Sequence, residues 1–142
     1  MKVDENVMAH MQCIQVLHRL VSYLDQRRYD EVVQLMTPDC LWRGPPDYVG
    51  HDGVLKRLHG RSESRDTLHI LTNTIATTLD SEKIQLESYL TSYRFPRRKD
   101  GIVFSDAPTI IALGIYRDQF SRVDDQWLVK ERALNLIARV PD

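Results

Sequence analysis

The amino-acid sequence predicts a single α+β domain, with helices first and antiparallel strands afterwards. Within the first 60 residues, apolar side chains recur every three or four positions, which is the spacing of helices with one buried face. From Asp66 onward, the spacing changes to the two-residue alternation of strands. Helical segments followed by a run of strands are typical of α+β folds. A chain of 142 residues, 42% of them hydrophobic, is long enough to bury one core. We therefore assign residues 1–142 to one domain.

Three helices are predicted before residue 60. A short second helix covers residues 30–36 and ends before Pro38, because the residue preceding a proline avoids helical backbone angles. The third helix covers residues 51–59 and ends at Gly60. The first helix runs from Val7 to about Gln26, and its apolar stripe consists of Val7, Met11, Ile14, Leu17, Val21 and Leu24.

The strands come mainly from the second half of the chain. Residues 40–43 predict a short strand, and the proline- and glycine-rich segment 44–50 predicts a loop. Asp124 and Asp125 predict a tight hairpin turn, whereas Arg97 to Pro108 is expected to form a long connection. The long strands should form a curved antiparallel sheet and cover residues 66–79, 83–95, 109–123 and 126–139.

Composition excludes several classes of function. The net charge of −1 provides no field that would attract nucleic acid or an acidic membrane surface. No apolar run approaches the roughly 20 residues needed to span a bilayer. The polar first residues do not resemble a signal peptide, so we expect a cytoplasmic protein. Cys13 and Cys40 match no metal or redox spacing and are expected to be reduced core residues. We predict no metal and no cofactor.

One face of the strand predicted over residues 66–79 has the composition of a pocket wall. Ligand pockets are mostly apolar and contain a few convergent polar groups. The alternative is an ordinary sheet face on which the histidine is satisfied by a hydrogen bond. Strand alternation places on this face Thr67, His69, Leu71, Asn73 and Ile75.

Asp25 lies on the apolar stripe of the first helix, four residues after Val21. A carboxylate that faces a core is costly unless something hydrogen-bonds it. Asp25 either reaches water at a fraying helix end or pairs with His69. A carboxylate that accepts a hydrogen bond from one imidazole nitrogen fixes the tautomer and makes the other nitrogen a better general base.

Several short motifs occur in order along the chain: Tyr23-Leu24-Asp25, Arg28-Tyr29-Asp30, Leu35 to Asp39 with Trp42, Tyr48-Val49-Gly50, His69 to Asn73, Gly114-x-Tyr116-x-Asp118, and Trp127 with Glu131-Arg132. In order and spacing, these motifs resemble the SnoaL-like branch of the NTF2-like superfamily over nearly the whole chain. The resemblance implies a cone-shaped barrel: a curved sheet wrapped around helices and enclosing a deep pocket. It also places Asp25 and His69 at the positions of the catalytic pair in a cofactor-free branch that includes scytalone dehydratase, lindane dehydrochlorinase and bile-acid 7α-dehydratase.

The function that this resemblance implies is a cofactor-free lyase or isomerase with an Asp25–His69 general base. Its substrate would be a small hydrophobic molecule of cyclic or polyketide-like type. Two alternatives come from the same superfamily. One is a non-catalytic small subunit of a ring-hydroxylating dioxygenase, and the other is a ligand-binding domain without catalysis.

Six further side chains are predicted to contact the substrate: Trp42, Tyr48, Asn73, Tyr89, Tyr116 and Arg132. Trp42 and Tyr48 flank the proline-rich loop, and core packing is an equal alternative for both. A tyrosine hydroxyl could polarise a substrate carbonyl. Arg132 could bind an anionic group or form an ion pair with Asp118. Gly114 either leaves room for a ligand or lets the sheet bend.

Both faces of the strand that carries His69 are rich in apolar residues, more than one pocket requires. The second face is therefore expected to pair with another copy of the chain in a homodimer or homotrimer. Candidates for this outer surface are Leu68, Ile70 and Ile115.

Overall fold

The computed structural model describes residues 2–102 and 109–141. The predicted α+β class, the three helices and the run of long strands are confirmed. Residues 103–108, the end of the predicted connection from Arg97 to Pro108, lie outside the described residues. In chain order the elements are α1 (Lys2–Asp25), α2 (Tyr29–Gln34), β1 (Met36–Trp42), β2 (Tyr48–Val49), α3 (Gly50–His59), β3 (Arg65–Asp80), β4 (Lys83–Pro96), β5 (Thr109–Val123) and β6 (Gln126–Arg139).

The six described strands form one curved sheet in the order β2-β1-β6-β5-β4-β3. The ladders between β3, β4, β5 and β6 are antiparallel, as predicted. The sheet is not antiparallel throughout, however, because β1 pairs with β6 in parallel and aligns Trp42 with Arg132. The intervening chain is long enough to return to the same end of the sheet, which parallel pairing requires. The alternation of apolar residues within a strand does not indicate which other strand it pairs with.

The chain around Pro38 differs from its prediction. Met36, predicted as the end of the second helix, instead begins strand β1, which runs through Trp42 and is longer than the predicted segment 40–43. Pro38 lies between Met36 and Leu41, where the register of β1 against β6 shifts. Such an irregularity accommodates a proline, since proline cannot donate to a sheet ladder.

The core lies between α1 and the concave inner face of the sheet. Leu17 and Leu20 of α1 are completely buried, and the sheet contributes Leu86, Phe120 and Val129 to the same cluster. The inner face of β4 is formed by even-numbered residues, since Ile84, Leu86, Ser88, Leu90 and Ser92 are all buried. No described helix is both long and apolar enough to cross a membrane.

Gly114 fits the sheet-bending interpretation. A Cβ atom at this position would meet Leu134 Cδ1 at 2.8 Å and the Asn135 carbonyl oxygen at 2.9 Å. The register of β5 against β6 also shifts between Leu113 and Gly114. The missing side chain therefore allows β6 to approach β5 closely at a bend.

Both cysteines are free and buried, and their thiols are expected to react slowly in the native protein. Burial raises the pKa of Cys13 to about 12 and raises that of Cys40 as well. Since the thiolate is the reactive form, a disulfide-exchange reagent at mildly alkaline pH should label neither cysteine until urea is added. Stoichiometric labelling of the folded protein within the dead time would contradict this expectation.

Candidate active site

The structure brings Asp25 and His69 together at the C-terminal end of α1. Asp25 is the last residue of α1, and His69 lies on the inner face of β3. The His69 Nδ1 and Asp25 Oδ1 atoms are 2.5 Å apart. The two side chains are 13% and 10% exposed, respectively, so the contact is largely shielded from water.

The Asp25 carboxylate accepts three hydrogen bonds, all from β3. Oδ1 accepts from His69 Nδ1 and, at 3.0 Å, from the Thr67 hydroxyl. Oδ2 accepts from the backbone N–H of His69 at 2.9 Å. These donors offset the cost of burying a carboxylate and hold its plane relative to the imidazole.

The partner of Nδ1 determines the tautomer of neutral His69. A carboxylate only accepts hydrogen bonds, so the proton lies on Nδ1 and the lone pair lies on Nε2. Among residues 2–102 and 109–141, no side chain or backbone group hydrogen-bonds Nε2. The arrangement thus leaves an oriented basic nitrogen, which is what a general base requires.

The sequence predicts no role for two residues that hydrogen-bond at this site. Strand alternation places Thr67 on the inner face of β3 but does not reveal its bond to Asp25. Arg61 follows α3 and donates from Nη2 to Thr67 Oγ1 at 2.5 Å and from Nη1 to the Leu24 carbonyl at 2.8 Å. No pattern in the sequence indicates this contact, because it depends on how the loop after α3 lies against the end of α1.

A second polar cluster surrounds Arg132 on the inner face. The Arg132 side chain has 0% exposure, and its guanidinium carbon lies 3.8 Å from the ring centre of Tyr116 and 5.2 Å from that of Trp42. Arg132 Nε lies 3.6 Å from Asp118 Oδ1. The predicted ion pair is therefore present, together with cation–π contacts to two of the predicted pocket aromatics.

This cluster contains unused hydrogen-bonding capacity. In the described part of the chain, neither Asp118 oxygen and none of the three Arg132 guanidinium nitrogens has a hydrogen-bond partner. Burial raises the pKa of Asp118 to about 6, although the Arg132 charge acts in the opposite direction. The N–H edge of Arg132 is thus suited to an oxygen of a bound molecule.

Tyr48 lies beside α3 rather than against Arg132. The guanidinium carbon of Arg57 lies 5.1 Å from the ring centre of Tyr48 and 5.3 Å from that of Trp42. Tyr48 is half-buried, whereas Trp42 is 4% exposed. Trp42 therefore contacts both arginines and links α3 to the Arg132 cluster.

Two predicted pocket residues lie elsewhere. Tyr89 is 49% exposed on the outer face of β4, because the even-numbered residues of this strand face inward. Asn73 is exposed at a β-bulge where its φ is +52°. The extra residue shifts the alternation, so that Thr74 replaces Asn73 on the inner face. The predictions that Tyr89 and Asn73 line the pocket are wrong.

The described residues hold no group of three or more His, Cys, Asp or Glu side chains arranged for a metal ion.

Comparisons with known proteins agree with this architecture. A family model described as a SnoaL-like domain matches residues 5–133. No curated protein gives a significant match by sequence.

Several solved structures share the fold at low sequence identity. A protein named provisionally as a scytalone dehydratase, from Novosphingobium aromaticivorans, superposes with a TM-score of 0.81 at 20% identity, covering 97% of this chain and 90% of its own. ActVI-ORFA from Streptomyces coelicolor superposes with a TM-score of 0.78 at 16% identity, covering 91% of this chain and 97% of its own. The hexachlorocyclohexane dehydrochlorinase LinA-type3 from Novosphingobium barchaimii superposes with a TM-score of 0.78 at 15% identity, covering 96% of this chain and 91% of its own. At these identities the likeness shows the fold.

Proposed function

Because this chain belongs to the SnoaL-like domain family, we propose that it is a cofactor-free lyase or isomerase in which Asp25 and His69 form the general base. The observation that supports this most strongly is the 2.5 Å contact between His69 Nδ1 and Asp25 Oδ1. Two of the similar structures carry names of elimination enzymes, a dehydratase and a dehydrochlorinase.

In the proposed reaction, His69 Nε2 takes a proton from a carbon next to a carbonyl or beside a leaving group. The electron pair of the broken C–H bond forms a double bond, and either the leaving group departs or the proton returns at another carbon. Asp25 stabilises the imidazolium that forms. The substrate is a small hydrophobic molecule of cyclic or polyketide-like type.

Arg132 and Tyr116 are the proposed partners for negative charge that develops on the substrate. Arg132 has unpartnered N–H groups, and the Tyr116 ring packs against its guanidinium. Fixed donors in a water-poor site stabilise an oxyanion more strongly than they would in bulk water. Trp42 and Tyr48 would contribute apolar contact area.

Proton abstraction can be tested before the complete reaction is known. The protein would be incubated in D₂O with a panel of cyclic ketones, β-hydroxy ketones and chlorinated cyclohexanes. NMR would follow deuterium incorporation and loss of the leaving group. His69-dependent exchange in any member of the panel supports the proposal, whereas equal exchange with wild-type protein and the His69→Ala variant counts against it.

The outer face of the sheet is the proposed contact between copies of the chain. Leu68 and Ile70 are 52% and 46% exposed, and Tyr89 and Leu113 add further exposed apolar area on neighbouring strands. We expect light scattering at micromolar concentration to give the mass of a homodimer or homotrimer. An Ile70→Lys variant should shift the mass toward the monomer, because a charge at an apolar interface is costly. A monomer mass for the wild-type protein would contradict this proposal.

A further inference from the structure

We propose that Arg61 and Thr67 are positioning residues for the Asp25–His69 pair, a role that rests on the proposed function of that pair. Arg61 orients the Thr67 hydroxyl, and Thr67 in turn holds the Asp25 carboxylate so that Oδ1 faces His69 Nδ1. Neither residue bonds to Nε2 of His69.

The direction of the hydrogen bonds follows from the chemistry of the groups. An arginine guanidinium has donors and no acceptor, so Thr67 Oγ1 must accept the 2.5 Å bond from Arg61 Nη2. The hydroxyl has one proton, which is then left for Asp25 Oδ1 at 3.0 Å. Arg61 therefore selects the hydroxyl orientation in which Thr67 donates to the carboxylate.

Arg61 is itself held firmly. Its Nη1 donates to the Leu24 carbonyl at 2.8 Å and to the Tyr29 hydroxyl at 3.3 Å. Leu24 immediately precedes Asp25 in the last turn of α1, and its carbonyl also accepts the backbone N–H of Arg27 at 3.2 Å. One guanidinium thus joins the backbone beside Asp25 to the strand that carries His69.

Among the described residues, Thr67 is the only donor to the Asp25 carboxylate other than His69 itself. Without it, both remaining bonds come from one residue, and the carboxylate can rotate with less restraint. A hydroxyl that merely filled space would affect packing and stability but would leave the His69–Asp25 bond unchanged. This difference separates a positioning role from a structural one.

The test uses the hydrogen-bonded proton on His69 Nδ1, which NMR detects without any substrate. In wild-type protein this proton should give a downfield, slowly exchanging resonance, assigned by its absence in His69→Ala. The resonance should broaden beyond detection or move upfield in Thr67→Val, which keeps the side-chain shape but lacks the hydroxyl. Thr67→Ser, which keeps the hydroxyl, should restore it.

Thr74→Val is the matched control. Thr74 also lies on the inner side of β3, but its hydroxyl bonds to Ser88 Oγ at 3.1 Å rather than to Asp25. The Thr74→Val variant should lose about as much stability as Thr67→Val while keeping the Nδ1 proton resonance. Arg61→Met provides a second variant that should weaken the resonance even if Thr67→Val does not fold.

An unchanged resonance in folded Thr67→Val or Arg61→Met would overturn the positioning role and leave the proposed general base intact. Absence of the resonance from the wild-type protein would instead show that the Asp25–His69 bond is not formed, which overturns both. If a reaction is found, Thr67→Val should lower kcat by about 10-fold or more with KM nearly unchanged, since misplacement of reacting groups acts on the chemical step. If the resonance disappears to the same extent in Thr67→Val and in the control Thr74→Val, the cause is a general loosening of the structure, and the proposal is rejected.

Discussion

Replacing His69 with alanine is expected to lower kcat by about 10²–10⁴-fold, the range typical for loss of a general base. The fold should persist, because the His69 side chain makes one side-chain hydrogen bond and does not belong to the hydrophobic core cluster. The measurement is the rate of substrate deuteration or product formation at saturating substrate. Circular dichroism and urea unfolding would verify that the variant is folded.

His10→Ala is the matched control for this variant. His10 likewise makes a side-chain hydrogen bond, but to a threonine of β3, with 2.7 Å between its Nε2 and Thr78 Oγ1. It lies 15 residues before Asp25 on α1, which corresponds to roughly 22 Å along the helix axis. Its replacement should leave kcat unchanged. A fully active His69→Ala variant, or equal losses in both variants, would exclude His69 as the base.

Asp25→Asn should also reduce kcat, because an amide cannot accept hydrogen bonds from all three donors that surround the carboxylate. An amide has one accepting oxygen and a donating NH₂ group, whereas the site presents donors to both oxygen positions. The NH₂ group would face either the His69 backbone N–H or the imidazole. Stabilisation of the other imidazole tautomer would then place the proton on Nε2, where a base needs its lone pair.

The correctly predicted parts of the fold, including the positions of Asp25 and His69 within it, depend on long, regular patterns. The stripe on α1 extends over many turns, so the position of Asp25 on its inner side is well determined. His69 lies within an uninterrupted alternation with Thr67 and Leu71, which places it on the inner face of β3.

The wrong predictions of pocket residues concern which face of a strand a side chain lies on, and a single inserted residue changes that assignment. The bulge at Asn73 adds a single residue, and the inner and outer faces exchange beyond it. The hydroxyl of Tyr89 suggests a pocket role, but the apolar pattern of Ile84, Leu86 and Leu90 indicates that the other face of β4 is buried. Arg61 could not be predicted, since its contact requires the docking of a loop against a helix end far away in sequence.

The Arg132 cluster leads to the second large effect. Arg132→Met is expected to lower the free energy of unfolding by about 1–3 kcal/mol at neutral pH, because the buried Asp118 carboxyl loses its opposite charge and must take up a proton. Methionine is flexible and can keep much of the contact with Trp42 and Tyr116. Urea unfolding monitored by fluorescence would measure the loss.

Two further variants separate charge from packing. The double variant Asp118→Leu with Arg132→Met removes both charges and should recover most of the lost stability, since apolar pairs of similar volume often replace buried ion pairs without cost. Arg117→Met removes a neighbouring arginine on the outer face, whose side chain is 59% exposed and paired with Glu87. Its effect should stay within about 0.5 kcal/mol.

The pH dependence of the Arg132→Met variant distinguishes electrostatics from packing most directly. Burial raises the pKa of Asp118 from 3.8 to about 6, so its protonated form stabilises the folded state fully below pH 3.8, and this contribution is lost as the pH rises through about 6. Removing Arg132 takes away the charge that lowers this pKa. In the variant, the folded state should therefore continue to lose stability at pH values above 6. The stability difference between variant and wild-type protein is therefore expected to be smaller near pH 5, where Asp118 is mostly protonated, and to grow above pH 6. A difference that stays constant across this range would mean that Arg132 stabilises the fold through packing against Trp42 and Tyr116 rather than through its charge.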